Sequence, residues 1–154
     1  MELQVISAAA MEALGGQFAR AIGGACVIYL QGPLGAGKTT WVRGFMRTLG
    51  HTGVVKSPTY GLVESYHLAG YDIHHFDLYR LNSPDELENI GVRDFWSSHS
   101  IYIVEWPERG GEFLPPADIK INFLYNGTAR KVSGIAYSST GHEITGAIKQ
   151  FTHE

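Results

Sequence analysis

The first half of the chain alternates short apolar runs with amphipathic stretches, the pattern of strands followed by helices. The run from Leu3 to Ile6 predicts a strand, and Ser7 is placed to cap a helix with apolar residues every three or four positions. These residues are Met11, Leu14, Phe18 and Ile22. A second strand is predicted from Val27 to Leu30, and a second amphipathic helix from Lys38 to Leu49, ended by Gly50.

The second half of the pattern is richer in strands. After a polar loop from His51 to Gly61, strands are predicted at Leu62 to Tyr66, Ile73 to Asp77, Ile101 to Val104, Ile119 to Phe123 and Val132 to Ile135. The first two strands are expected to pair antiparallel, and Asn126-Gly127 supplies the turn of a hairpin between the last two. The helix-start signal Ser83-Pro-Asp-Glu86 precedes a helix that Gly91 ends, and a short terminal helix is predicted near Ile144 to Phe151.

A glycine-rich segment joins the second strand to the second helix. Gly32-Pro-Leu-Gly-Ala-Gly-Lys-Thr-Thr40 contains the Gly-x-x-x-x-Gly-Lys-Thr pattern of a P-loop, or Walker A motif. In such a loop, backbone N–H groups and the helix N-terminus hold phosphates, Lys38 reaches the β- and γ-phosphates, and the Thr39 hydroxyl contacts Mg²⁺. The predicted nucleotide contacts within this segment are Leu34, Gly35, Ala36, Gly37, Lys38, Thr39 and Thr40.

The order of elements around this loop predicts the fold. At 154 residues, the chain has the length of one domain, and we expect a single P-loop ATPase domain over residues 1–154. The fold class expected is α/β, a P-loop NTPase-like three-layer sandwich with a mixed central sheet, helices on both faces and a C-terminal antiparallel hairpin.

Two acidic residues are candidates for the metal side of the loop. Glu105 follows the near-continuous apolar run Ile101 to Val104, which is typical of a strand covered on both faces, and Asp77 follows a less apolar run that indicates a strand nearer the edge. By strand context alone, Glu105 is the better Mg²⁺ ligand. Trp106 follows it, where its ring would stack on the base, shield the site or pack against the sheet edge.

Other residues and classes of site are less favoured by the pattern. His74 and His75 are adjacent on a predicted strand, so their side chains point to opposite faces and do not share a zinc ion easily. No Asn-Lys-x-Asp guanine-reading segment occurs, which favours ATP over GTP. A small-molecule kinase remains an alternative, although no arginine-rich lid is visible, and so does a nucleotide-gated binding module.

Net charge, cysteine content and apolar-run length limit the partners and the compartment that we expect for the protein. A formal net charge of -3 lacks the basic excess that an unaided nucleic-acid binder needs. The single cysteine, Cys26, excludes an intrachain disulfide and fits a reducing compartment. With no signal-peptide pattern and no apolar run near the roughly 20 residues that span a bilayer, we expect a cytoplasmic protein without membrane contact.

Five segments together resemble the TsaE family, bacterial P-loop ATPases required for the threonylcarbamoyladenosine (t6A) modification of tRNA. These are residues 32–40, Lys56-Ser-Pro-Thr-Tyr60, His75-Phe-Asp-Leu-Tyr-Arg-Leu81, Glu86-Leu-Glu-Asn-Ile-Gly91 and Val104-Glu-Trp-Pro107. The resemblance covers residues 3 to about 132 and leaves the rest without an assigned role. Pro33 and Met11 stand where the family often has Asp and Thr.

The resemblance implies roles that composition and spacing do not. It places Thr59 in a switch-like loop on the γ-phosphate side, makes Asp77 the acid of a second strand and makes Glu105 an acid on the Mg²⁺ side. Lys38, Thr59, Asp77 and Glu105 are thus the expected catalytic residues, and Thr39 and Glu105 the expected metal ligands. It further implies ATP and Mg²⁺ as cofactors and TsaD and TsaB as protein partners, with tRNA reached only indirectly.

Overall fold

A computed structural model describes residues 2–58 and 62–152, with side chains described as far as residue 148. Seven strands form one sheet: β1 (Glu2–Val5), β2 (Cys26–Gln31), β3 (Val63–Leu68), β4 (Tyr71–Asp77), β5 (Ser100–Glu105), β6 (Ile119–Asn126) and β7 (Ala129–Ala136). Four helices accompany them: α1 (Ala8–Ala21), α2 (Lys38–Thr48), α3 (Asp85–Asn89) and α4 (Ser139–Thr152). Short 3₁₀ helices lie at Val92–Phe95, Pro107–Arg109 and Gly111–Phe113.

The sheet is mixed, with parallel strands in the middle. Its order is β1-β7-β6-β2-β5-β4-β3. The four central strands, β6, β2, β5 and β4, run parallel, while β3 pairs antiparallel with β4 at one edge and β7 and β1 continue antiparallel at the other. All six residues of β5 are buried, as expected for a strand covered on both faces. The predicted α/β class, mixed sheet and C-terminal hairpin are confirmed.

Apolar side chains form a core on each face of the sheet. On one face, residues of α1, α2 and α4 such as Phe18, Trp41 and Ile148 pack with inward-facing residues of the central strands. On the other face, Leu87 of α3 and Val92 pack against the alternate residues of β4 and β5. The three-layer arrangement follows from this two-sided burial, although the second layer of helices is short.

Helices α1 and α2 cross very closely because glycines face each other at the crossing. A Cβ atom added to Gly15 would lie 2.0 Å from the carbonyl oxygen of Trp41, and one added to Gly44 would lie 1.9 Å from that of Glu12. The Gly15-Gly16 pair, which by propensity alone weakens α1, is therefore a contact surface for α2. The close crossing holds α2, the helix that begins at the P-loop, in one position against α1.

Two helix starts differ from the sequence prediction. Helix α4 begins at Ser139, five residues before the predicted Ile144, because the Ser138 hydroxyl accepts from the Gly141 N–H and caps its first turn. Helix α3 begins at Asp85, one residue later than a cap at Ser83 predicts. Pro84 occupies the N-cap position, and the Ser83 hydroxyl accepts only a long hydrogen bond, 3.4 Å, from the Asp85 N–H.

Candidate functional site

The glycine-rich loop lies at the carboxyl end of β2, in the centre of the sheet, and leads directly into α2. Its last residue, Gly37, has a φ of 111° and forms the N-cap of α2. Any other residue would be strained in this conformation, and a Cβ atom there would also meet the Met11 side chain at 2.8 Å. The tight turn of the loop directs the first residues of α2, Lys38 and Thr39, toward the acidic side chains at the ends of β4 and β5.

A cavity of about 280 Å³ opens beside this loop. It brings together most residues predicted from the sequence, and its lining is Leu34, Gly35, Gly37, Lys38, Thr39, Thr40, Ser57, Asp77, Glu105 and Trp106. Ala36 is buried and lines a neighbouring cavity instead. Thr59, predicted for the γ-phosphate side, lies outside the described residues.

Lys38 is buried at this cavity, with only 5% of its surface exposed. Its Nζ donates to the carbonyl oxygens of Gly32 and Pro33, the latter at 3.2 Å, and lies 4.3 Å from the centre of the Trp106 ring. Burial lowers the pKa of Lys38, and the negative charges of Glu105, Asp77 and Glu108 oppose that effect. The ammonium group is thus held at the inner side of the loop.

The two predicted acids lie side by side at the ends of adjacent parallel strands. Asp77 and Glu105 are register partners in β4 and β5, so they occupy the same face of the sheet. Burial raises the pKa of Asp77, the charge of Glu105 raises it further, and a 3.1 Å hydrogen bond from the Tyr79 N–H opposes the rise. Two carboxyl groups in one half-buried site, facing Lys38, form an arrangement suited to proton transfer or cation binding.

Glu105 has a partner that the sequence reasoning missed. His75 Nε2 lies 2.6 Å from Glu105 Oε2, and both residues are buried, with 0% and 3% of their surfaces exposed. A signal for this contact was present, because His75 and Asp77 are two residues apart on one strand and therefore share a face. His74 contacts the rings of Phe95 and Tyr102 on the opposite face, as alternation predicts.

A second unpredicted residue, Ser57, completes a set of oxygen atoms. Its Oγ lies 2.8 Å from Thr39 Oγ1, and both residues line the cavity with Asp77 and Glu105. Within residues 2–58 and 62–152, no three His, Cys, Asp or Glu side chains converge as a metal site. Hydroxyl and carboxylate oxygens are the ligands that Mg²⁺ prefers, so the donor set fits a Mg²⁺ ion shared with a bound phosphate.

Trp106 lines the cavity beside the loop. Its backbone is left-handed, with φ 59° and ψ 49°, and this conformation turns the chain immediately after Glu105. The ring lies over Lys38 and 5.0 Å from the ring of Tyr79. The ring also packs against the core on the α3 face of the sheet, and a contact of Trp106 with a nucleotide stays a prediction.

On the other side of the loop lies a second cavity of about 230 Å³. It lies between the start of α1 and the end of the β6–β7 hairpin, with Met11, Thr128 and Arg130 in its lining. The Tyr125 hydroxyl donates to the Leu34 carbonyl, and the Arg130 guanidinium lies 4.5 Å from the Tyr125 ring centre. Tyr125 and Arg130 come from the hairpin, and no motif in the sequence indicates them.

The comparisons with known proteins identify the family. A family model described as "Threonylcarbamoyl adenosine biosynthesis protein TsaE" matches residues 5–132. The chain belongs to the TsaE family. The matched TsaE region contains the last residue of β1, β2 to β6 in full and the first residues of β7, so it includes every residue named above for the two cavities. The resemblance stated from the five sequence segments is confirmed.

Individual TsaE relatives agree with this assignment. The Haemophilus influenzae protein named "tRNA threonylcarbamoyladenosine biosynthesis protein TsaE" is 51% identical over 123 residues, which are 80% of this chain and 78% of the relative. The Bacillus subtilis protein of the same name is 37% identical over 95 residues, 62% of this chain and 59% of the relative. A crystal structure of Bacillus subtilis YdiB has the same fold, with a TM-score of 0.82 and 22% identity over 98% of this chain and 95% of that one.

One further property concerns the membrane. In the part of the chain that the structure describes, no helix combines the length and apolar character needed to cross a bilayer.

Proposed function

We propose that this chain is a Mg²⁺-dependent ATPase of the cytoplasm, weakly active alone, that supports t6A modification of tRNA by acting on the TsaB–TsaD complex. The observation that carries the proposal is the cavity that places Lys38, Thr39, Asp77 and Glu105 around one space beside a P-loop. Membership of the TsaE family supports the pathway.

The loop and α2 would bind the triphosphate. The N-terminus of α2 and the N–H groups of the loop attract phosphate oxygens. Lys38 donates to the carbonyls of Gly32 and Pro33, and phosphate oxygens would replace these acceptors. Because the Lys38 side chain is already ordered between the loop and Trp106, binding orders little additional structure at this residue.

The acids and hydroxyls would hold Mg²⁺ and order the attacking water. Thr39 and Glu105 are the residues proposed to hold the ion, with Ser57 beside Thr39. Bound there, Mg²⁺ would supply positive charge against the charge that builds up on the phosphate oxygens. Asp77 is the proposed general base for the water, because its raised pKa makes it a stronger base than an ordinary carboxylate.

The second cavity is the proposed position of the nucleoside. It shares Gly35, Gly37 and Thr40 with the first cavity and extends away from the two acids. A nucleotide with its phosphates in the first cavity would therefore place its base and sugar near Met11 and Arg130. The apolar side chain of Met11 and the planar guanidinium of Arg130 are both suited to contact with a purine ring.

Action through a partner is supported by what surrounds the phosphate cavity. Leu34 is 58% exposed and Tyr79 37% exposed, so apolar and aromatic groups lie at its rim. Such groups are typical of protein contacts. The net charge of -3 argues that tRNA is contacted through TsaD and TsaB and not by this chain alone.

Phosphate release in the presence and absence of the TsaB–TsaD pair tests this function. We expect release to rise with the pair and to fall by roughly 10- to 100-fold in Lys38→Ala, the loss expected for a charge-assisted phosphate contact. Lys131→Ala is the matched control, because Lys131 lies in β7 and pairs with Glu2, away from the cavity. Unchanged release in Lys38→Ala would refute the ATPase proposal.

The same assay separates the alternatives. A phosphorylated metabolite in place of free phosphate would establish a small-molecule kinase. Repeated rounds of tRNA modification with a non-hydrolysable ATP analogue would establish a nucleotide-gated binding module.

A further inference from the structure

The contact between His75 and Glu105 sets His75 apart from the other histidines described above. Its imidazole is fully buried, and Nε2 meets Glu105 Oε2 at 2.6 Å. A carboxylate only accepts hydrogen bonds, so the imidazole nitrogen that meets it carries the hydrogen. The Nε2–H of His75 therefore donates to Glu105, and the strand geometry holds the two groups together.

The geometry follows from the register of two strands. His75 precedes Asp77 by two residues in β4, and Asp77 is the register partner of Glu105 in β5. His75 and Glu105 are consequently diagonal neighbours on one face of a parallel pair, within reach of long side chains. His75 lies on the interior side of Glu105, and the cavity lies at the strand ends.

The second nitrogen of His75 shows that this contact is its main polar interaction. Nδ1 is buried and has no hydrogen-bond partner in the described chain. Burying an unpaired polar atom costs free energy, and an apolar side chain of similar size would fill the same space without that cost. The donation to Glu105 is the interaction that a leucine at position 75 would not provide.

We propose that His75 is a positioning residue for Glu105: its Nε2–H holds Oε2, so that Oε1 is kept toward the cavity to bind the metal of the nucleotide complex. The inference rests on the proposed function, which assigns Glu105 to the metal. Partners that orient a ligating group commonly change metal affinity by about 10- to 100-fold when removed.

Four single variants, of which Glu105→Gln is one, and one double variant test the proposal. His75→Leu removes the donor at similar size, and His75→Gln keeps an N–H donor on a planar group. His74→Leu is the matched control, because the adjacent side chain lies on the opposite face. The double variant combines His75→Leu with Glu105→Gln.

Two measurements are made on each folded full-length protein. The first is binding of a fluorescent non-hydrolysable ATP analogue in EDTA, which reports the site without metal. The second is the affinity of that complex for Mn²⁺, followed by electron paramagnetic resonance.

We expect His75→Leu to bind the analogue normally in EDTA but to lose about tenfold or more in Mn²⁺ affinity. His75→Gln is expected to recover most of that loss, and His74→Leu to match the wild type. Adding His75→Leu to Glu105→Gln is expected to change Mn²⁺ affinity little, because both changes act on one ligand.

Unchanged Mn²⁺ affinity in His75→Leu would overturn the inference. An equal loss of metal-free binding, or a His75→Gln protein as weak as His75→Leu, would also overturn it, since either result indicates a role in packing alone. A wild-type protein that binds no analogue would instead overturn the proposed function, and the two failures are thereby distinguished.

Discussion

The close crossing of α1 and α2 gives a sharp test of how the fold supports the site. Gly44→Ala adds a single methyl group 1.9 Å from the carbonyl oxygen of Glu12, with that residue's carbonyl carbon at 2.5 Å and its Cα at 2.6 Å. All three atoms belong to the backbone, so no side-chain rotation relieves the overlap. The two helices must separate by roughly 1.5 Å, the difference between this approach and an ordinary contact of 3.4 Å.

The expected effect is a clear loss of stability. Overpacking of a core typically costs about 1–3 kcal/mol, and the gain of about 1 kcal/mol in helix propensity offsets only part of it. Because backbone atoms make the contact, we expect the upper end of this range, a net loss of about 2 kcal/mol, and a Tm lower by about 4–8 °C for a domain of this size. Since α2 begins at Lys38, we also expect weaker binding of a fluorescent ATP analogue.

Gly146→Ala provides the matched control. Gly146 is also inside a helix, α4, but a Cβ atom there meets nothing within 4 Å. This change is expected to raise Tm slightly, through helix propensity alone. Thermal unfolding followed by circular dichroism measures both variants. A Gly44→Ala protein that melts at or above the wild-type temperature would refute the idea that the crossing is constrained by backbone contact.

The remaining predictions concern the site. Asp77→Asn is expected to raise Tm at pH 7: burial and Glu105 raise the pKa of Asp77, so the wild type loses stability as pH rises through that pKa. The gain is expected to fade as pH falls toward 3.8, the ordinary pKa of the carboxyl, and a gain of equal size at all pH values would contradict this cause. Ser57→Ala, which removes the partner of Thr39, is expected to slow phosphate release while leaving analogue binding in EDTA intact, and equal loss of both would contradict it. Tyr125→Phe is expected to weaken analogue binding by about two- to tenfold, the value of one hydrogen bond to the loop, as measured by fluorescence titration; unchanged affinity would show that the Leu34 carbonyl needs no partner.

Much of the fold was predictable because its signals are local. The alternating and continuous apolar runs locate every strand to within three residues, and the Ser7 cap marks the start of α1. The start of α4 was not predictable in the same way, since its first turn is polar and its cap, Ser138, acts together with Asp118 from another element. Strand order was equally hidden, because β1 pairs with β7, more than 120 residues away.

In the candidate site, too, the residues with local sequence signals were predictable and those brought in from distant segments were not. Lys38 and Thr39 belong to one continuous motif, and the acids end strands whose apolar character is visible in the sequence. Tyr125 reaches the loop from the hairpin, and only the folded structure relates it to the loop. The resemblance places the segment of Ser57 on the phosphate side, but the contact of Ser57 with Thr39 appears only in the structure. Strand alternation already puts His75 on the face of Asp77, but its contact with Glu105 follows only from the pairing of β4 with β5.

The proposed nucleoside cavity draws its walls from segments more than 120 residues apart in the sequence, because its lining includes Val5 and Ser7 together with Thr128 and Arg130. During synthesis on the ribosome the P-loop emerges early, but these walls cannot meet until the β6–β7 hairpin has been made and has paired with β1. On the proposed function, a nascent chain would therefore lack a complete nucleoside site until the hairpin has been made. Once the hairpin closes, a bound nucleotide would stabilise the whole domain, because a single ligand would contact both of these distant segments.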